Sequence, residues 1–331
     1  MLPLKVAGLG VYLPERRETR EDFIKQGIPD NVIERMGVYE RRVVEDDQTA
    51  ADLEVKAARH ALDNAGMHAS DIDLILSATL LPEMIGIPNS NLLQHRLGAN
   101  KATALDINQA CGSVIPAMLI AANFISLGQY RRILLTVSTH WSTIGDPNNP
   151  ISNFVLGDGA AAMVLTHSSA GFGVVSFDMQ TDGGFFYDCG IRLGSSHKLR
   201  YYNKHNEKLL FYIDNDGVKG APSEFSRFLS TALPANFHTA LSKANLLPAD
   251  IDCAVIHANV KPLVERWLPA MQIPAERIPT TYNQYGNVGA VTTILNMHEG
   301  ITRGMIKKGD HVAVVAQGAG FSNGTIIMRW E

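Results

Sequence analysis

The chain has 331 residues, 46% hydrophobic and 19% charged, with a formal net charge of -4. That is room for about two domains' worth of core, and it excludes the basic surface of a nucleic-acid binder and any charged tail. Three scattered cysteines, Cys111, Cys189 and Cys253, exclude a disulfide framework and a zinc site.

The N-terminal segment lacks the charged start and long apolar core of a signal peptide, so the cytoplasm is the expected compartment. Lys5 to Leu13 reads as a strand broken by Gly8 and Gly10. Its Gly-x-Gly is a weak dinucleotide signal, because Leu13 stands where a third glycine belongs. Thr19 to Met36 predicts one or two polar helices, with Thr19 and Asp22 spaced as a capping box. Ala50 to Ala65 has helical spacing and stops at Gly66. The run from Asp71 reads as a buried parallel strand, and Pro88 to Leu97 as a helix. Leu105 to Gly128 is a short strand, a turn of small residues around Cys111, and a nearly all-apolar helix. Residues 107 to 130 carry no charge, which is long enough for a membrane span. Asn108, Gln109, Asn123, Ser126, Gln129 and Pro116 argue instead for a helix at the centre of a large domain. Arg132 to Ser138 is a further strand, and Gly157-Asp-Gly-Ala turns into another.

The chain then repeats itself. Ala61-Leu-Asp-Asn-Ala-Gly-Met-His-Ala-Ser-Asp-Ile-Asp recurs from Ala240, with six of thirteen pairs identical. Ile125-Ser-Leu-Gly recurs as Ile301-Thr-Arg-Gly, and Gly157-Asp-Gly-Ala as Gly318-Ala-Gly-Phe. Features in the same order at offsets of about 160 to 180 residues mark a duplicated strand–helix unit. Helices alternating with apolar strands predict a mostly parallel sheet in each copy. Stacked with the apolar helices between them, the two sheets give an α/β five-layered α-β-α-β-α sandwich. The halves are 1–170 and 171–331. Residues 170 to 235 lack the alternation, and 183–225, with Lys198, Arg200 and several aromatics, read as a connecting lid.

Cys111 opens a buried helix, where unpaired N–H groups lower a thiol's pKa. A cysteine is as often a small core residue, so it needs partners. The duplication supplies them. Cys111 falls opposite Asn287, and the second-copy strand from Cys253 ends at His257, at the carboxyl end where ligands bind parallel sheets. Singly, His257 could be a satisfied core group and Asn287 a helix cap. Together they bring a thiol, an imidazole and an amide to one point.

These residues resemble the β-ketoacyl-ACP synthase III family of the thiolase superfamily. The marks are Ala-Cys-Gly-Ser at Cys111, Gly157-Asp-Gly-Ala, strand-terminal His257, Tyr285-Gly-Asn287, Gly318-Ala-Gly-Phe321 and Arg35-Met-Gly-Val-Tyr-Glu-Arg. The resemblance implies that Cys111 takes an acyl group from a coenzyme A or acyl-carrier-protein thioester. Backbone N–H groups of Cys111 and Ala319 form the oxyanion hole. His257 and Asn287 stabilise the enolate of a decarboxylating malonyl-type thioester, with no metal or redox cofactor. It also implies a homodimer, with Ile87 of one subunit closing the partner's acyl pocket. Arg35, Asn259 and Phe321 are implied at the substrate.

Two departures bear on the donor. The family's coenzyme A-stacking tryptophan and arginine align with Asn31 and Pro150. Pro262 stands in the place of a carrier-contacting arginine, which leaves Lys261 and Arg266 to grip an acidic carrier. Two other readings stay open: acyl transfer from Cys111 to an alcohol or amine with His257 as base, and a non-catalytic subunit. No sequence feature points to membrane or nucleic acid.

Overall fold

The computed structural model describes residues 1–84, 86–146, 149–191, 210–213 and 224–331. Its strands in chain order are β1 (Lys5–Tyr12), β2 (Arg17–Thr19), β3 (Glu40–Arg42), β4 (Leu74–Thr79), β5 (Thr103–Asp106), β6 (Arg132–His140) and β7 (Asp158–Thr166). There follow β8 (Gly173–Thr181), β9 (Cys189–Ile191), β10 (Phe211–Ile213), β11 (Cys253–Ile256), β12 (His311–Gly318) and β13 (Ser322–Arg329). Two sheets carry the fold, one in the order β1-β7-β6-β4-β5 and one in the order β11-β12-β13-β8.

The strands are apolar on both faces because both faces are covered. Along β4, Leu74 and Leu76 point to the core between the sheets, while Ile75 points the opposite way, onto the helix Ala50–Ala65. Successive strand residues alternate sides, so a strand buried twice has no polar face to show. The helices Val114–Ser126 and Val291–Thr302 fill the space between the sheets, with Met118, Ala121 and Ile294 fully buried there. The helices Glu224–Ala244 and Lys261–Met271 cover the outer face of the second sheet around Trp267. This is the five-layered sandwich. No helix among the described residues is long and apolar enough to cross a membrane.

The sheets are mixed rather than mostly parallel. β4 pairs parallel with β5 and β6, and β11 with β12, but β7 and β13 run antiparallel to both their neighbours. The reason is plain at β12 and β13. Only Ala319, Gly320 and Phe321 join them, too few for the crossover that a parallel pair needs. The irregular segment also begins later than expected. Residues 173–181 are β8, an edge strand whose Phe177 and Met179 face solvent, which weakens its apolar signal. Of the expected lid, Lys198, Arg200, Tyr201 and Tyr202 lie outside the described residues. The described part includes the β9–β10 ribbon, whose Phe211 ring lies 4.9 Å from that of Trp141.

One buried charge has no sequence signal. Glu54 points from its helix into the first sheet with no exposure. Its carboxyl accepts from Ser77 Oγ at 3.0 Å, Thr136 Oγ1 at 2.6 Å and Ser138 Oγ at 2.6 Å. Burial pushes its pKa up to about 7 against the pull of those hydroxyls. The native carboxyl keeps its proton between pH 4.5 and 7, where the unfolded chain has released it. Stability therefore falls as pH rises through that window, by about 3 kcal/mol in all. Glu54→Gln is expected to be the more stable protein at pH 8 and no more stable at pH 5. Urea midpoints at the two pH values check this.

Candidate active site

Cys111 sits on a turn that its neighbours hold in place. Ala110 has a φ of 48°, unusual for a residue with a side chain. Asn108 Oδ1 accepts from the Ala110 N–H at 3.0 Å, and Ser113 Oγ bridges the Gln109 N–H at 2.8 Å and the Ala110 carbonyl at 2.7 Å. Gly318, ending β12, packs backbone to backbone against Gln109 and Gly112, where a side chain would collide. That contact sets Ala319 beside the turn. Among the described residues neither the Cys111 nor the Ala319 N–H donates to a backbone carbonyl.

The thiol does not have the lowered pKa expected from its place before a helix. It is 6% exposed among Val38, Trp141, Phe154 and Leu156. Burial pushes it up to about 12, against the pull of its own backbone N–H. The first helical residue is Val114, so helix-end stabilisation, which fades within a turn, loses to desolvation.

His257 follows β11, its N–H bonded to the Val315 carbonyl at 2.9 Å. It is 2% exposed, and its Nε2 has no hydrogen-bond partner among the described residues. Burial lowers its pKa to about 4, while the Asn287 side chain and the Gly289 backbone favour the protonated ring. The imidazole is neutral at pH 7. Asn287 is fixed through its backbone: its N–H donates to the Val155 carbonyl at 2.7 Å, and its carbonyl accepts from Gly157 at 3.0 Å. Its Oδ1 accepts from the Gly289 N–H at 2.9 Å. Leu156, the bridge partner of Asn287, belongs to the same apolar cluster as Cys111.

The two glycine motifs are thus halves of one backbone contact. A methyl group on Gly157 would strike the Tyr285 carbonyl, and one on Gly286 the Val155 carbonyl. Asp158, which in sequence is only one residue of a glycine turn, anchors the arrangement. Its buried carboxylate accepts from the N–H groups of Val44 and Ser142, both at 2.8 Å, and from the Ser142 hydroxyl. Gly157→Ala is expected to cost about 1–3 kcal/mol from overpacking and to displace Asn287. A lowered urea midpoint together with a lowered turnover checks this.

Comparison with known proteins gives the chain its family. The profile of 3-oxoacyl-[acyl-carrier-protein] synthase III matches residues 105–183, and that of its C-terminal domain matches 241–330. A thiolase N-terminal domain profile also matches residues 34–142. The β-ketoacyl-[acyl-carrier-protein] synthase III of Geobacillus kaustophilus is 34% identical over 328 residues, covering 98% of each chain. The chain belongs to the 3-oxoacyl-[acyl-carrier-protein] synthase III family. It is an acyltransferase of the ketosynthase class. The Thermus thermophilus synthase III superposes with a TM-score of 0.88 at 26% identity, covering 99% of both chains. The Aquifex aeolicus enzyme superposes with a TM-score of 0.87 at 25% identity, over 99% of this chain and 100% of its own.

The remaining expected residues of this synthase lie at varying distance from the centre. Phe321 is buried, its ring 5.1 Å from Phe225 and 6.0 Å from Phe228. Asn259 turns its Oδ1 back onto the Val260 N–H at 2.9 Å. Lys261 packs its stem near Gly37, just past the helix that bears the exposed Arg35, and pairs with Glu265 at 3.9 Å. Arg266 instead donates to Ser230 Oγ at 3.1 Å. Ile87 is 55% exposed and outside the cluster of Cys111. Nothing in the sequence singles out Trp141, a lone aromatic after β6, or Phe154, in the short helix Pro150–Val155, as lining the cysteine.

Proposed function

We propose that Cys111, His257 and Asn287 carry out a decarboxylative condensation. Cys111 attacks an acyl thioester; the acyl–sulfur bond to the donor breaks, a new thioester forms on Cys111, and the thiol proton leaves with the departing thiol. The Cys111 and Ala319 N–H groups hold the oxyanion. A malonyl-type thioester then loses carbon dioxide. His257, as its Nε2–H tautomer, and the Asn287 amide donate to its thioester oxygen as enolate charge develops. The enolate carbon attacks the acyl carbon, releasing a β-keto thioester and the Cys111 thiolate, which takes up a proton.

The observation that carries this reading is the neutral, buried His257 with an unpaired Nε2 beside Asn287. A hydrogen-bonding group already stripped of water stabilises developing charge without reorganisation. The reaction draws on no metal or redox cofactor. Halves 1–170 and 171–331 supply nucleophile and donors respectively. Arg35, Lys261 and Arg266 meet the carrier protein or coenzyme A, and Asn259 and Phe321 the thioester arm. A cytoplasmic homodimer follows from the same reading. Its support is the open edge of the first sheet, where β5 exposes Leu105 (43%). The test is the intact mass of the protein after incubation with acyl-coenzyme A and acyl-carrier-protein panels. An acyl adduct mapping to Cys111 is expected. No adduct from any donor would overturn the reading.

A further inference from the structure

Trp141 is 5% exposed in the apolar cluster around Cys111, yet its indole Nε1 is closed to solvent and has no hydrogen-bond partner among the described residues. Trp267, fully buried, gives its Nε1–H to the Leu229 carbonyl at 2.8 Å. A buried donor left unpaired costs about 1–3 kcal/mol, and a buried tryptophan usually finds an acceptor. The orphan is also well placed. Cζ2, which shares a ring-carbon neighbour with Nε1, lies 3.6 Å from where a Cβ on Gly289 would stand. Gly289 in turn touches the His257 ring and holds Asn287 Oδ1. The indole therefore packs against the Gly289 turn that adjoins His257 and Asn287.

Resting on the reading that Cys111 carries the acyl group, we infer that Trp141 Nε1–H donates to an oxygen borne by that group. The donor is then an oxygenated acyl thioester, hydroxy- or oxo-substituted, rather than a plain alkyl one. The side chains that share its apolar cluster, Phe154, Leu156, Leu80 and Phe211, offer this N–H no acceptor. An acyl oxygen arriving at a donor already stripped of solvent gains its hydrogen bond in full, whereas an alkyl chain leaves the donor unpaired. Sites built in this way reject the analogue that lacks the oxygen far more strongly than apolar pockets reject a methylene.

The experiment compares matched pantetheine thioesters, butanoyl with 3-hydroxybutanoyl and pentanoyl with 4-oxopentanoyl, in their rates of acylating Cys111. The oxygenated member of at least one pair is expected to react at least about ten-fold faster. Trp141→Phe keeps the aromatic wall without the N–H. It is expected to bring that ratio to about one, with any loss common to both members of a pair read separately from the alkyl rate. Independently, the indole 15N–H resonance of Trp141, identified among three tryptophans by its loss in Trp141→Phe, should shift with the oxygenated acyl group and not with the alkyl one. Alkyl donors reacting equally well with a silent indole would overturn the inference and leave the condensing reading intact. Failure of every thioester to label Cys111 would remove both.

Discussion

A Cys111→Ala protein is expected to take up no acyl group and to lose at least about 10³-fold of its condensation rate. The loss is chemical. Alanine removes only a sulfur atom from a site enclosed by Trp141, Phe154 and Leu156, a cavity worth about 1 kcal/mol. The turn stays held by Asn108 and Ser113, neither of which bonds the thiol. Thermal unfolding should therefore shift by only a few degrees while turnover disappears, measured on one preparation. A large fall in stability with residual acylation elsewhere on the chain would mark Cys111 as a core residue.

His257→Ala is expected to cost about 10²–10³-fold in the condensing step and to leave acylation of Cys111 within about ten-fold of the parent. The asymmetry follows from the role: the imidazole meets the second thioester, whereas the oxyanion of the first meets backbone N–H groups that the substitution does not touch. The pH profile carries the same signature. Because burial holds the ring's pKa at about 4, His257 is neutral from about pH 5 upward. Its protonation removes activity only below that. An exposed histidine would impose the loss near pH 6.5. Single-turnover rates of each half-reaction from pH 5 to 9 check both statements.

Much of the architecture was legible because it is repetitive. Double burial forces unbroken apolar strands, and a duplicated unit repeats its helix ends and glycine turns, so Cys111, His257 and Asn287 could be aligned before any geometry was known. What escaped depends on contacts between distant segments. Strand direction in the sheets follows from connection lengths and neighbour order, so β7 and β13 turned out antiparallel. Asp158 looks like part of a glycine turn until Val44 and Ser142 are seen to donate to it. Glu54 reads as an ordinary helix charge, because the hydroxyls that hold it come from β4 and β6. The thiol's pKa was misjudged for a related reason: proximity to a helix is visible in sequence, while the apolar enclosure that outweighs it is not.

The most direct measurement is a chase. Cys111 is first loaded with an acyl group, then mixed with a malonyl thioester labelled in its free carboxylate. Loss of the adduct mass is followed together with release of labelled carbon dioxide. One carbon dioxide released per adduct cleared, with a β-keto thioester as product, is the predicted result. Clearance of the adduct only by an alcohol or amine, with the label retained, would contradict condensation and make the protein an acyltransferase to oxygen or nitrogen.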